Sequence, residues 1–481
     1  MSHQYLAIDL GAESGRAMLA DLSGHQLKLQ EVHRFPNCTV NLPTGLYWDT
    51  LRLFYEMLEG LRAAAKLTAR LGSVAIDTWG VDFGLIGVHG ALIDNPRHYR
   101  DPRTVGLPEK LFEIVPRADV FAATGIQFME LNSLYQLWAV HRETPWLLSQ
   151  AQALLFMPDL FNYFLSGTMA AERTIASTSQ FYDPARGRFA TELLEKLGIA
   201  TGFLPGLVDP GVRLGSIRTA LAESYGVPGG TPVYTTASHD TASAVAAVPA
   251  DGRSPWCYIS SGTWSLMGME LDRPLINDAS LAANFTNEAG VGGSIRFLKN
   301  IPGLWLLQEC RRAWAREGKE YSYDELIAMA RETEPSGAVL ELEAFQAAGQ
   351  SAERVMEYCR TTGQPVPGTP GAVCRVILYS LAVRYREVLG ALEEMTGRRV
   401  ETIHIVGGGS RNRLLNQLTA DVTGRRVVAG PSEATAAGNA LVQALGAGQL
   451  GSLEELRQVV RESFPVEEFV PKGVTTSPVR D

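Results

Sequence analysis

Three short stretches of the chain carry residue types suited to handling phosphate and a hydroxyl group. The first is Asp9-Leu10-Gly11-Ala12-Glu13-Ser14-Gly15-Arg16, at the end of an apolar run. Gly11 and Gly15 let the backbone turn sharply and come close to a bound group. The N–H groups of such a loop and the Ser14 hydroxyl are donors for phosphate oxygens, and Arg16 adds a planar fork of donors. Asp9, at the strand end, suits a hydrated Mg²⁺ ion, which uses one or two protein carboxylates. A plain Gly-rich hairpin turn capped by Asp9 fits the same residues. The second stretch is Ser238-His239-Asp240-Thr241, leaving an apolar run at 232–237 and entering an Ala-rich one. An aspartate at such a junction can take a proton from a hydroxyl as general base. Asp and Thr are also favoured helix caps, and local sequence supports both roles equally. The third is Gly407-Gly408-Gly409-Ser410, after the apolar run 402–406. Three glycines between a strand and a helix let a planar group lie against the backbone and aim a helix N-terminus at phosphate. A plain strand–helix turn rarely needs three, so a nucleotide is the favoured reading.

The elements that must position these groups follow from hydrophobic period and punctuation. Residues 5–10 read as a buried strand, with strands at 16–21 and 26–35 joined by a Ser23-Gly24 turn. Residues 50–70 show helical spacing and 72–78 return as a buried strand. The segment 133–144 is helical. Residues 151–165 read as an apolar helix that Pro158 kinks or breaks. Between these, Trp79-Gly80-Val81-Asp82-Phe83 joins aromatic faces to a carboxylate, a combination that holds sugars; core packing of the two aromatics is the alternative. Gln127, Asn132 and Gln136 are amides suited to a polyol pocket.

The first loop has an echo. Residues 256–260 form an apolar strand, then Ser261-Gly262-Thr263-Trp264-Ser265 turns into a second strand at 266–270. A strand, a Gly turn bearing hydroxyls and a strand thus recur, and two facing hairpins can clamp a triphosphate. The Pro- and Gly-containing stretch 249–254 sets a domain boundary, giving domains 1–248 and 249–481. Further on, 297–317 leads into a helix with Pro302 near its first turn. Asn300 and Gln308 stand out there as polar residues in an apolar stretch. A long amphipathic helix spans 370–396, stopped by Gly397. A helix follows at 412–423, and another at 433–445 with Gly438 for close packing. The tail beyond Phe469 is polar, ending in 475–481, and is expected to fray.

Bulk properties narrow the class. A chain of 481 residues exceeds the size of one core, so two domains are expected. With 46% hydrophobic and 20% charged residues it reads as a globular enzyme. A formal charge of -9 argues against nucleic acid or an anionic membrane as partner. No signal segment and no apolar run of bilayer length are read, so a cytoplasmic protein is expected. Five cysteines without metal-site spacing suggest reduced thiols, a Cys359–Cys374 bridge being the open alternative.

Together the D-L-G-A-E-S-G-R loop, the S-S-G-T-W-S-L-M-G hairpin and the H-I-V-G-G-G-S-R-N segment resemble the FGGY carbohydrate kinases, from Ala7 to about Ala444. The resemblance implies an α/β protein of two ribonuclease-H-like (actin-like ATPase) domains flanking a central cleft. I-D-T-W-G-V-D-F, S-H-D-T-A-S-A and L-K-N-I narrow the implied activity to transfer of the ATP γ-phosphoryl to the 1-hydroxyl of L-rhamnulose. By the same resemblance Asp240 is the base. Ala12, Glu13, Ser14, Gly15, Arg16 and Thr263 hold phosphates, and Gln308, Gly408 and Gly409 lie toward the nucleotide. Gly80, His239, Asp240, Thr241 and Asn300 form the sugar site, and Asp9 organises Mg²⁺ through water. One departure is Glu13, where the family loop often has a small hydroxyl residue. A carboxylate repels phosphate, so Glu13 is expected to point toward the metal or away. The rivals are a kinase of another ketose (L-fuculose or xylulose) and an actin-like structural or regulatory ATPase. A monomer or small homo-oligomer, with sugar and ATP as its partners, is expected.

Overall fold

The computed structural model describes residues 2–345, 349 and 351–472, so the expected polar tail beyond Phe469 lies outside the described residues from 473 onward. Two compact units form. The first comprises Met1–Ala247, Glu270–Leu298 and Ala434–Ser463, and the second Val248–Met269, Lys299–Glu433 and Phe464–Asp481.

The first unit is built on a six-stranded sheet. Its order is Arg213–Ser216, Pro232–Tyr234, Leu71–Thr78, Ser2–Leu10, Ser14–Ser23, Gln26–Pro36. Ser2–Leu10 sits centrally, parallel to Leu71–Thr78 and antiparallel to Ser14–Ser23. A strand covered on both faces must be apolar on both, and Leu6, Ala7, Ile8 and Leu10 are all buried. Helix Thr50–Leu67 starts at Asp49, whose side chain accepts from the Arg52 N–H, and it buries Leu53, Met57, Leu61 and Ala64 along one face.

Helix Ala434–Gly446 also belongs to this unit, although a boundary drawn along the chain at 248/249 assigns it to the later half. Its two buried amides bind the sheet. Gln443 Nε2 donates to the Leu6 carbonyl at 3.1 Å, and Asn439 Nδ2 donates to Asp77 Oδ2 at 2.6 Å. Ser73 Oγ completes the set by donating to Gln443 Oε1 at 2.7 Å. Contacts between residues some 360–440 positions apart leave no local trace in sequence.

In the second unit, strand Trp256–Ser261 pairs antiparallel with Trp264–Leu271 and parallel with Thr402–Val406. Arg426–Ala429 continues in parallel and Glu467–Phe469 closes in antiparallel. The hairpin-plus-parallel-strands order of the first unit is repeated. Helix Pro370–Thr396 has the predicted bounds, with proline in its first turn and Gly397 left-handed at φ 66.

Two expectations are corrected. Residues 151–165 are not one broken helix. Ala151–Phe156 is a strand paired with Phe83–Gly87, and Pro158 opens helix Met157–Ser166. An apolar run of this length fits strand or helix equally, and proline suits a first turn whose N–H has no partner. Likewise Pro302 ends strand Ile295–Pro302, and the helix begins later, at Trp305–Arg316. All five cysteines are free, with Cys38 exposed and the rest buried. Among the described residues no helix is long and apolar enough to cross a membrane.

Candidate active site

In the first unit the ends of three chain segments converge. Asp9 and Asp77 are register partners on adjacent parallel strands, so their side chains share one face. The Trp79 N–H donates to the Leu10 carbonyl at 3.2 Å, and the Thr78 N–H to the Ser238 carbonyl at 2.9 Å. Asp240, the first residue of helix Asp240–Ala246, follows directly. The predicted loop is a turn in which the Gly11 N–H donates to the Ser14 carbonyl at 3.0 Å. Arg16 Nη2 pairs with Asp9 Oδ2 at 2.6 Å. Glu13 is exposed, and its carbonyl accepts from the Asn37 N–H at 3.0 Å.

Two of these carboxyls, Asp77 and Asp240, are raised. Burial first, and then the field of Asp9, hold Asp77 well above the ordinary carboxylate range, and Asp240 adds to this. Asp77 Oδ1 is buried without a hydrogen-bond partner. Asp240 is also raised, by burial and by Asp9, while His239 opposes the shift. Its side chain is 30% exposed, and Oδ1 accepts from the Thr241 N–H and hydroxyl at 2.5 and 3.2 Å. Asp240 is thus the first helical residue, His239 being the cap, and one of its oxygens is occupied by Thr241.

His239 is buried, with Nε2 3.5 Å from Asp240 Oδ1. Its Nδ1 meets a buried ion pair, 3.2 Å from Arg296 Nη2 and 3.3 Å from Glu288 Oε2. Arg296 and Glu288 lie 3.0 Å apart. Burial works against a charged Glu288, yet Arg296 and His239 outweigh it and hold the carboxyl below its usual range.

Gly80 approaches Thr178 so closely that a Cβ there would sit 3.2 Å from its side chain. Val81 has φ 69, a strained conformation for a β-branched residue. Thr178 Oγ1 accepts from the Val81 N–H at 3.0 Å, and the Ser133 hydroxyl donates to the Val81 carbonyl. Such strain persists only where surrounding bonds enforce it.

The neighbouring Trp79, Asp82 and Phe83 are not open to a sugar. Both aromatics lie in the core. Asp82 Oδ2 accepts from the indole N–H groups of Trp48 and Trp79, at 2.6 and 3.0 Å, and from the Tyr99 N–H at 3.2 Å. Gln136 Nε2 takes Oδ1 at 2.8 Å. Burial raises this carboxyl to about 6 against those bonds. Gln136 and Asn132, expected to line a polyol pocket, are used internally, with Asn132 Nδ2 donating to the Gln127 carbonyl and to Gln180. Asp82→Asn is expected to cost about 2 kcal/mol, because an amide N–H₂ would face donors. Its sugar KM should stay within twofold of the parent, as thermal unfolding and steady-state kinetics together would reveal.

The remaining predicted residues belong to the second unit. Thr263 lies in the turn between Trp256–Ser261 and Trp264–Leu271, and its carbonyl accepts the Gly303 and Trp305 N–H groups at 3.1 and 3.2 Å. Gly409 packs on Ser261, whose Cβ would lie 2.6 Å from any added Cβ, whereas Gly408 faces open space. Gln308 is half-buried, and its Oε1 has no hydrogen-bond partner. Asn300 is half-buried on strand Ile295–Pro302.

Sequence reasoning missed Asp77, Glu288 and Arg296. Asp77 had a signal, being an aspartate closing an apolar strand at the position matching Asp9. The other two act through their contact with His239, on a distant segment.

Two domain descriptions of the FGGY family of carbohydrate kinases match the chain, the N-terminal one over 4–247 and the C-terminal one over 257–447. The chain belongs to this family, whose members are two-domain sugar kinases of the actin-like ATPase fold that use ATP. Among its relatives is a rhamnulokinase of Bacteroides thetaiotaomicron, 44% identical over 476 residues, covering 98% of this chain and 97% of the relative. A rhamnulokinase of Bacillus subtilis is 40% identical over 479 residues, covering 99% and 97%. A solved gluconate kinase from Lactobacillus acidophilus has a TM-score of 0.80 at 14% identity, covering 98% of this chain and 94% of its own. At that identity the likeness is one of fold.

Proposed function

We propose that the protein transfers the γ-phosphoryl group of ATP to the 1-hydroxyl of L-rhamnulose, giving L-rhamnulose 1-phosphate and ADP. The observation that carries the chemistry is Asp240, a part-exposed carboxylate at a strand–helix junction, raised by burial and by Asp9. Relatives named rhamnulokinase, at 37–44% identity over nearly the whole chain, support the choice of sugar.

In this reading the Asp240 carboxylate accepts the proton of the sugar hydroxyl as that oxygen attacks the γ-phosphorus. The bond to the bridging oxygen breaks and ADP leaves with its electron pair. His239, held by Glu288 and Arg296, presents Nε2 to the sugar, with Thr241 and the Gly80 backbone as further contacts; Asn300 is proposed as a sugar contact as well. The loop Ala12 to Arg16 and Thr263 hold phosphates, with Gln308, Gly408 and Gly409 toward the nucleotide. Domain 1–248 carries sugar and the first phosphate loop, and 249–481 the nucleotide.

A Mg²⁺ ion fits the first unit. The orphaned Asp77 Oδ1 and the mutual repulsion of Asp9, Asp77 and Asp240 are features a divalent cation relieves. Asp9 is the proposed organiser, through water, with Asp77 beside it. When bound, the ion neutralises charge on the transferring phosphates. The proposed setting is the cytoplasm, as a monomer or small homo-oligomer.

ADP release from Mg-ATP with L-rhamnulose, L-fuculose, xylulose and glycerol tests the assignment. Turnover on L-rhamnulose exceeding that on the other three by 10²-fold or more is expected, since a site that hydrogen-bonds each hydroxyl rejects analogues strongly. Preference for another ketose would move the substrate. Hydrolysis indifferent to every sugar would overturn the reading.

A further inference from the structure

Glu172 lies outside every group assigned above and is fully buried. Its carboxylate accepts four hydrogen bonds. Three are local, from the Thr174 N–H at 2.8 Å, the Thr174 hydroxyl at 2.5 Å and the Ile175 N–H at 3.2 Å, and they cap the short helix Arg173–Ala176. The fourth comes from the Ser238 N–H at 3.0 Å, 66 residues further along the chain and two before Asp240. Thr174 Oγ1, which donates to Glu172, in turn accepts the His239 N–H at 3.2 Å. Two successive amides ahead of Asp240 therefore end on Glu172, one directly and one through a single hydroxyl.

Capping a one-turn helix does not call for this arrangement. An exposed Ser, Thr or Asp caps as well and avoids burying a carboxylate, which is costly. Among the described residues no cation pairs with Glu172. Asp159, whose Oδ1 accepts the Glu172 N–H at 3.1 Å, adds a second acid instead. What Glu172 supplies is charge with four acceptor positions, at the point where backbone N–H groups from two distant segments meet.

We propose that Glu172 is a positioning residue for phosphoryl transfer: with Thr174 it fixes the Ser238–His239 backbone, and thereby the place of the Asp240 carboxylate. The proposal rests on the reading of Asp240 as base. A displacement of about 1 Å at a reacting group costs on the order of 10²-fold in rate. A glutamine at 172 keeps the shape, but its amide nitrogen faces donors: in place of Oε1 it turns the Thr174 N–H bond into a donor–donor contact, and in place of Oε2 it disturbs the other three, that from Ser238 included.

The test is Glu172→Gln and Thr174→Val in the full-length protein, read by kinetics and by amide hydrogen exchange. Glu172→Gln is expected to lower kcat by 30- to 100-fold with the KM for ATP within twofold of the parent. Exchange at Ser238 and His239 should rise at least tenfold in the folded variant while the central strand Ser2–Leu10 stays protected. Thr174→Val should give a smaller loss of the same kind, and it carries the test alone should Glu172→Gln not fold. Glu172→Asp, retaining the charge, should recover part of the kcat. A kcat within twofold of the parent, or a loss that merely follows thermal stability with exchange at Ser238 unchanged, would overturn the proposal. Failure of the parent to release ADP with any sugar would sink the reading of Asp240 and this proposal with it; a normal parent beside an unaffected variant sinks this proposal alone.

Discussion

Asp240→Asn is expected to reduce sugar-dependent ADP release by about 10²–10⁴-fold while leaving the affinity for nucleotide within twofold of the parent. Asparagine has the same shape, and its Oδ1 can still accept the Thr241 N–H that Asp240 accepts at 2.5 Å. The helix start therefore survives the change, and what is lost is the basic oxygen. A base role also has a signature in pH. The working form is the carboxylate, so kcat/KM falls as acid protonates it. Burial, with the charge of Asp9, raises Asp240, while His239 opposes the shift. The acid limb should consequently lie above the ordinary aspartate range and vanish in the variant. Equal loss of turnover and nucleotide binding would remove Asp240 from the chemistry and leave it only the first residue of its helix.

How far the sequence discloses such a site depends on the distance over which each contact acts. The turn after Ser2–Leu10, the strand Thr402–Val406 and the helix Pro370–Thr396 are marked by glycine, by β-branched apolar runs and by caps, all local signals. The Trp79–Asp82 pair was legible as a pair but not in its use. The partner that closes it, the Trp48 indole, comes from 34 residues upstream and removes the oxygen a sugar would need. Strand Ala151–Phe156 was hidden because its pairing with Phe83–Gly87 spans some 70 residues, and its apolar run carries no period of its own. The buried acids Asp77 and Glu172 make the same point in electrostatic terms. Both are buried carboxyls, and burial lifts Glu172 to about 7 against the four bonds it accepts. Residues of that kind are retained at a cost in stability, which only a fold-level partner explains.

Gly438 should show this coupling most directly, and the sign of its effect decides the matter. In a helix interior alanine is favoured over glycine by about 1 kcal/mol. Gly390, on the exposed face of Pro370–Thr396 with nothing within 4 Å of an added Cβ, should therefore be stabilised by about 0.5–1 kcal/mol on change to alanine. Gly438 should behave oppositely. A Cβ there would lie 2.6 Å from the Ser243 carbonyl carbon and nearer still to its oxygen. Those are backbone atoms, so no side-chain rotation relieves the overlap. Helix Ala434–Gly446 must instead move off helix Asp240–Ala246, at a cost of about 3 kcal/mol. The movement disturbs two things at once. Asn439 and Gln443 lose register with Asp77 and the Leu6 carbonyl, and the helix that begins with Asp240 shifts with Ser243. Gly438→Ala should accordingly lower the thermal midpoint and reduce kcat by at least tenfold in the fraction that remains folded, with little change in the KM for ATP. Stabilisation of Gly438→Ala to the level of Gly390→Ala would show that the two helices do not need their close approach. The tie between the Ala-rich helix and Asp240 would then be lost.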